Sequence, residues 1–273
     1  MSPRVLRQVL IAVIFFSFIG AVSYWYYSSK QVIPTCNDNI KNGLEEGIDC
    51  GLAACGRYCE PALSAIEIKS SNLLKIRTGD YDFVAELLNP NRQYGASLAS
   101  YELTLLDKDG QEVAKQSGQF YILPGQQKYL IINAVESSKE AETAQLKITK
   151  AQWEKLDSLE GMDFSVKNKT YSVGKGGGSS ELKGVIINNS DFDFSLVDIG
   201  IVLFDDSNKI LAVNKTDVRT LLSNVERAFD VVWPFLIQGK VARIDVEPTT
   251  NLYDNLNYIK RYGAPTEKFQ KYY

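Results

Sequence analysis

The residues best equipped for chemistry are four cysteines, Cys36, Cys50, Cys55 and Cys59, which all fall within one 24-residue stretch. Thiols this close either join as disulfides or hold a metal as thiolates. Zinc sites built from cysteine use paired Cys-x2-Cys knuckles, and the spacings here, 13, 4 and 3 intervening residues, supply none. Disulfides fit better, because so short a segment buries little surface and cross-links stand in for a core. Three pairings connect four cysteines, and all three stay open on the sequence. Around them Asp38, Glu45 and Asp49, with Asn37, Asn39 and Glu46, offer the hard oxygen atoms that calcium takes. EF-hand spacing is absent and acidic surface loops are ordinarily just solvated, so these are calcium candidates and no metal site is assigned.

Other chemistry is thinly provided for. The chain contains no histidine, which removes the usual general base near neutral pH and the commonest metal ligand. Carboxylate pairs remain at Asp191 with Asp193 and at Asp205 with Asp206, but successive strand residues point to opposite faces, so the second pair does not converge. The run GKGGGSS at 174–180 is no phosphate loop: a Walker A motif needs GxxxxGK[ST], and here Lys175 precedes the glycines. We therefore assign no catalytic residue, expect no cofactor and read the chain as a non-enzyme. A net charge of -3 excludes the concentrated basic surface that nucleic acid requires. Candidate contact residues for a ligand or partner are Trp153, Tyr171, Trp233, Tyr272 and Tyr273, since Tyr and Trp are enriched at interfaces. For Trp153 and Trp233, packing is the plainer role.

The elements that would carry these residues repeat. YELTLLDKDG at 101–110 and IGIVLFDDSN at 199–208 are both alternating apolar runs ending in an acidic turn, 98 residues apart. The same offset sets Leu73 on Tyr171, Leu123 on Leu221, Ile131 on Phe229 and Val135 on Trp233, with a one-residue shift at Asn89 and Asn188. Chance similarity loses register within a turn or two, so this is a tandem duplication. Alternation with period two is that of half-buried strands, with Ile199, Ile201 and Leu203 on one face and Val202 and Phe204 on the other. Turn residues such as Asn89-Pro90-Asn91, Asp109-Gly110, Pro124-Gly125 and Ser207-Asn208 separate the runs. About seven short strands per copy predict a mainly β chain with two Ig-like antiparallel β-sandwiches in tandem.

Residues 182–247, with GVIINNS, VDIGIVLFDDSNKIL and TLLSNVERAFDV, resemble the FxLYD-type extracytoplasmic domains of bacteria and archaea. Phe204-Asp205 stands at the signature pair, with Leu221 and Phe229 downstream; the first copy has Leu106-Asp107 there and keeps Leu123-Pro124-Gly125. The resemblance implies an Ig-like sandwich and no catalytic residues. CNDNIKNGLEEGIDCGLAACGRYC is similar to a small cysteine module that recurs in bacterial surface proteins.

Arg4 and Arg7 precede Val9–Tyr27, nineteen residues without formal charge, long enough for a transmembrane helix at about 1.5 Å per residue. Tyr24 to Tyr27 would form an aromatic belt and the arginines favour a cytoplasmic amino terminus. Ala21-Val22-Ser23 would also suit signal cleavage, and either way the rest is exported. The expected organisation is 1–28 cytoplasmic tip and membrane helix, 29–61 cysteine-rich stalk, 62–150 first sandwich, 151–161 linker, 162–248 second sandwich and 249–273 a tyrosine-rich tail. Trp153, Leu156 and Leu159 at three-residue spacing predict one or two helical turns in the linker. Leu252, Leu256 and Ile259 predict a short helix at 251–261 with one apolar face. Asn168, Asn188 and Asn214 sit in glycosylation-type sequons. The functional expectation is a single-pass scaffold subunit of a cell-envelope or surface assembly, in contact with other envelope proteins. The alternative is a receptor-like binder of a small ligand or glycan.

Overall fold

A computed structural model of the chain describes residues 3–30, 36–59, 61–156, 159, 162–174 and 176–262. The chain forms two compact units, Met1–Ala62 and Leu63–Tyr273. In the first, Pro3–Lys30 is one helix, α1. Its apolar part, Arg7–Tyr27, is 21 residues long. That is about 32 Å of helix, the thickness of the hydrocarbon layer of a membrane. The cysteine segment contains the single helical turn α2, Leu52–Cys55, closed by Gly56 in the left-handed region at φ 64°. Two disulfides, Cys36–Cys55 and Cys50–Cys59, select one of the three pairings the sequence left open.

The second unit is built from strands. The strands β1 (Glu67–Arg77), β2 (Asp80–Leu88) and β5 (Gln127–Glu136) form one antiparallel sheet in the order β1-β2-β5. Its mate in the first sandwich is β4-β3-β6, from β3 (Tyr94–Leu106), β4 (Glu112–Ile122) and β6 (Thr143–Lys155). The second copy repeats this strand for strand. Here β7 (Phe164–Val173), β8 (Ser180–Asn188) and β11 (Glu226–Trp233) make the sheet β11-β8-β7. Its mate β10-β9-β12 comes from β9 (Phe194–Phe204), β10 (Ile210–Leu221) and β12 (Arg243–Thr249). Each copy has six long strands where the turn spacing suggested seven short ones.

Corners repeat with the sheets. Asn89 is fully buried, and its amide donates to the carbonyls of Tyr94 (2.7 Å) and Leu123 (2.9 Å). Asn188, also fully buried, donates to the carbonyls of Phe192 (2.6 Å), Leu221 (3.3 Å) and Leu222 (3.0 Å). In each, Oδ1 accepts the N–H two residues on, from Asn91 (3.0 Å) and Ser190 (3.1 Å). An asparagine is needed because a loop crossing the sandwich edge leaves buried carbonyls, which must find donors. With its nitrogen spent in this way, Asn188 is unsuited as a glycan acceptor. The hairpins after β3 and β9 are likewise capped alike. Asp107 Oδ1 accepts from the N–H of Asp109 and Gln111, and Asp205 Oδ1 from those of Ser207 and Lys209, all at 2.8–3.0 Å.

Packing follows the alternation. Phe83, Ala85 and Leu87 join Leu103, Leu105 and Ile132 in the first core. Ile199, Ile201 and Leu203 join Leu182, Ile186 and Trp233 in the second. A third cluster lies between the sandwiches. Val84 and Ile131, on the outer face of β2 and β5, meet Val202, Phe204 and Val213, on the outer face of β9 and β10. The four sheets therefore pack through three apolar layers, and β2 and β9 are covered on both faces. Burying side chains of this size stabilises by about 1.5–3 kcal/mol each, so the joint is a core in its own right.

Two expectations need correction. Residues 151–155 of the predicted helical linker are instead the end of β6: Ala96 is paired with Trp153, Gly95 with Glu154 and Tyr94 with Lys155. Trp153 packs against the first core, and Leu156, just beyond the strand, belongs to the second. Three-residue spacing suggested helix, but strand pairing with β3 overrides it. The tail to Tyr262 packs back on the second sandwich through Leu252, Tyr253, Tyr258 and Tyr262. Its helix α3 (Leu256–Tyr262) turns Leu256 outward, 70% exposed, and buries Tyr258 instead. Tyr272 and Tyr273 lie outside the described residues.

Candidate functional site

The acidic groups of the cysteine segment are spent on backbone. Asp49 accepts the N–H groups of Asp38 (2.9 Å) and Asn39 (2.8 Å). Glu45 Oε2 accepts those of Asn42 (3.1 Å) and Asp49 (3.3 Å), and both carboxylates are buried. Arg57 closes the loop by donating to the carbonyls of Asp49 (2.6 Å) and Cys36 (2.7 Å). A segment without a core is thus held by two cross-links and by carboxylates that satisfy its turns. Glu45 also groups with Cys36 and Cys55 at metal-ligand distances, but those sulfurs are joined to each other and have no thiolate to offer. Asp38 itself caps the N–H of Ile40 at 2.9 Å. Asp38, Glu45 and Asp49 thus each serve as a backbone acceptor.

The remaining sequence candidates do not converge. Tyr171 is half-buried, and its hydroxyl donates to Ser180 Oγ at 3.1 Å. Trp233 is 1% exposed, with its indole N–H donated to the Val213 carbonyl at 2.9 Å. Trp153, as described, is packing. Among them Trp233 alone reaches a cleft.

Clefts open along the joint, and two of them line up several polar groups from each sandwich. The first, about 340 Å³, is lined by Tyr121, Lys128, Asp198, Glu247 and Thr249 among others. Tyr121 donates its hydroxyl to Asp198 (3.0 Å), Gln126 donates to Thr249 (3.0 Å), and the Tyr129 N–H donates to Glu247 (2.8 Å), each from one sandwich to the other. Lys128, 8% exposed, sits 4.0 Å above the Tyr121 ring and donates to the Tyr121 carbonyl at 3.1 Å. Burial pulls the Lys128 ammonium down to about 8, against the opposing pull of Glu247 and Asp198. Burial pushes Glu247 up, opposed by the Tyr129 N–H and Lys128, and it pushes the Tyr121 phenol up with the help of Asp198. Tyr121, Gln126 and the Tyr129 N–H each have a partner across the joint, so the cleft reads as a polar seam. On the same side Gly95 admits the Tyr253 hydroxyl, which would lie 2.2 Å from a Cβ at that position.

The second cleft, about 270 Å³, combines Asp82, Asn133 and Ala134 from the first sandwich with Asn214, Trp233 and Phe235 from the second. A bulge in β5 shapes it. Ala134 is left-handed at φ 55°, which costs a residue with a Cβ about 1 kcal/mol, and its N–H donates to Asp82 Oδ1 at 2.9 Å. Asp82 is 6% exposed, and burial raises its carboxyl, opposed by Ala134 and by the Asn133 side chain. Asn133 also donates to the Val213 carbonyl at 3.3 Å, across the joint. Its Oδ1 is buried with no hydrogen-bond partner, alone in this among the described side-chain polar atoms. Sequence reading did not find this site. Asp82 and Asn133 lie 51 positions apart, and only the β2–β5 pairing brings them together.

No protein-family model matches the chain, and no curated protein does. Among solved structures it is similar to the calcium-binding domain CBD12 of CALX1.1, at 13% identity and a TM-score of 0.19, over 55% of this chain and 68% of that one. It is also similar to red sea bream transglutaminase, at 10% identity and a TM-score of 0.21, over 72% of this chain and 30% of that one. At these TM-scores neither likeness bears on what the chain binds or does.

Proposed function

We propose that the chain is a membrane-anchored, extracytoplasmic scaffold subunit of a cell-envelope assembly, made of two FxLYD-type β-sandwiches that work through protein contacts. The arginines before the apolar helix favour a cytoplasmic amino terminus, and disulfides belong to an oxidising compartment outside it. The observation that carries the reading is the joint. Val84 and Ile131 against Val202, Phe204 and Val213 make two domains one body, where a chain of independent binding modules would have a flexible linker. A stiff body on an anchor suits a part that holds neighbours at fixed spacing. The reading includes no catalytic step.

Cross-linking in intact native membranes, followed by mass spectrometry of what is joined to residues 63–262, tests it. Discrete envelope proteins linked at recurring positions on the sandwiches are the expected outcome. A control protein that cross-links efficiently while this chain acquires no specific neighbour would refute it.

A further inference from the structure

Beyond a scaffold role, the cleft at Asp82 has the chemistry of a binding site, and that chemistry is one-sided. Its lining carries two carboxylates, Asp80 and Asp82, against one cation, Arg77, and Arg77 is already paired with Asp80. What remains is the Asp82 carboxylate and the partnerless Asn133 Oδ1, both acceptors. The Asn133 amide is not free to turn over. Its nitrogen donates to the Val213 carbonyl, and reversal would set oxygen against oxygen there. Trp233, itself 1% exposed, and Phe235 also line the cleft. The left-handed Ala134 adds a third sign, since strained backbone is retained where the surroundings, or a function, over-determine it. A buried carboxylate, an orphaned acceptor, strain and aromatic side chains coincide nowhere else among the described residues.

We propose that this cleft binds a small organic ammonium, a primary amine carried on an apolar body. The N–H donors would meet Asp82 and Asn133, and the apolar body would lie against Trp233 and Phe235, where an aromatic face also favours a cation. An anion is repelled by the net negative lining, and a wholly apolar guest leaves both acceptors unmet.

The test uses the full chain in detergent micelles, labelled with 5-fluorotryptophan. Its three tryptophans, Trp25, Trp153 and Trp233, give three fluorine lines, assigned from single Trp→Phe variants. The probes are 2-phenylethylammonium and its uncharged counterpart 2-phenylethanol. The ammonium should shift the Trp233 line saturably, with half-saturation on the order of 1 mM or below, and leave Trp25 and Trp153 in place. The alcohol should bind roughly tenfold to a hundredfold more weakly, the difference expected for a charge-assisted hydrogen bond. Asp82→Asn should weaken the ammonium by a similar factor, with the Trp153 line reporting that the fold is kept. The proposal is overturned if the Trp233 line shows no saturable shift, if the alcohol binds as well, or if Asp82→Asn binds unchanged. The comparison of the two probes on the unaltered chain does not depend on how well the variant folds.

Discussion

In the first sandwich Val84 stands across from Ile131 on the ladder between β2 and β5; at the same ladder position between β8 and β11, 99 residues on and so one step off the register that set Ile131 on Phe229, Lys183 stands across from Asp230. The other pair of sheets shows the reverse. Val202 is opposite Val213 in the second copy, whereas Thr104 is opposite Lys115 in the first. The faces that meet at the joint are not equivalent: the first copy offers its β1-β2-β5 sheet and the second its β10-β9-β12 sheet. A contact of this head-to-tail type could in principle go on adding sandwiches, since each addition would leave a fresh pair of faces. Both outward faces carry charge where the inward ones carry valine and isoleucine, which disfavours a further sandwich on either. The fold was duplicated whole, and a handful of positions then separated the inside of the pair from its outside.

The comparison can be broken most forcefully by moving the charges. Val84→Lys with Ile131→Asp copies the outer pair into the joint, and burying it there should cost about 4 kcal/mol. Calorimetry should then show the sandwiches unfolding in two transitions in place of one. The reciprocal exchange, Lys183→Val with Asp230→Ile, should leave the joint intact and produce concentration-dependent self-association by analytical ultracentrifugation. Next in size are the corners. Asn188→Ala and Asn89→Ala each strand buried carbonyls and should each cost about 3 kcal/mol by urea unfolding, alike in the two copies if the corners are equivalent. The smallest effect concerns Lys128, buried in the joint, whose counterpart Arg227 is exposed. The native state releases the Lys128 proton near pH 8, the unfolded chain near 10.5. Between these values the unfolded state holds more protons, so stability rises with pH, by at most about 1.4 kcal/mol per pH unit. Lys128→Met should remove that rise between pH 8 and about 9.5, below the tyrosines. Arg227→Met should leave it unchanged.

Much of the architecture was legible. Alternation placed Ile199, Ile201 and Leu203 on one face and Val202 and Phe204 on the other, and both faces prove to be buried, in different layers. What the second face packs against was not legible, because periodicity reports that a side is apolar and not what covers it. The nearly unbroken apolar runs at 83–85 and 201–204 were the available sign, since strands buried on both faces lose their polar alternation. The linker misled for a related reason: Trp153, Leu156 and Leu159 fit helical spacing, but Trp153 and Leu156 serve two different cores. The acidic loop among the cysteines was visible as a cluster of oxygen ligands, and its use as backbone caps needed coordinates. The Asp82 cleft rests on a bulge and on a cross-strand meeting, neither of which leaves a local pattern.

The joint also sets an order of events during synthesis. Lys155, the end of β6, precedes Val202 by 47 residues, 202 minus 155, so at about 5–20 residues per second the first sandwich is complete for about 2–9 seconds before its cover exists. Over that interval Val84 and Ile131 form a bare apolar flank on a finished domain. A ribosome that pauses between the copies lengthens this exposure, and whatever escorts the nascent chain has one face of one domain to shield.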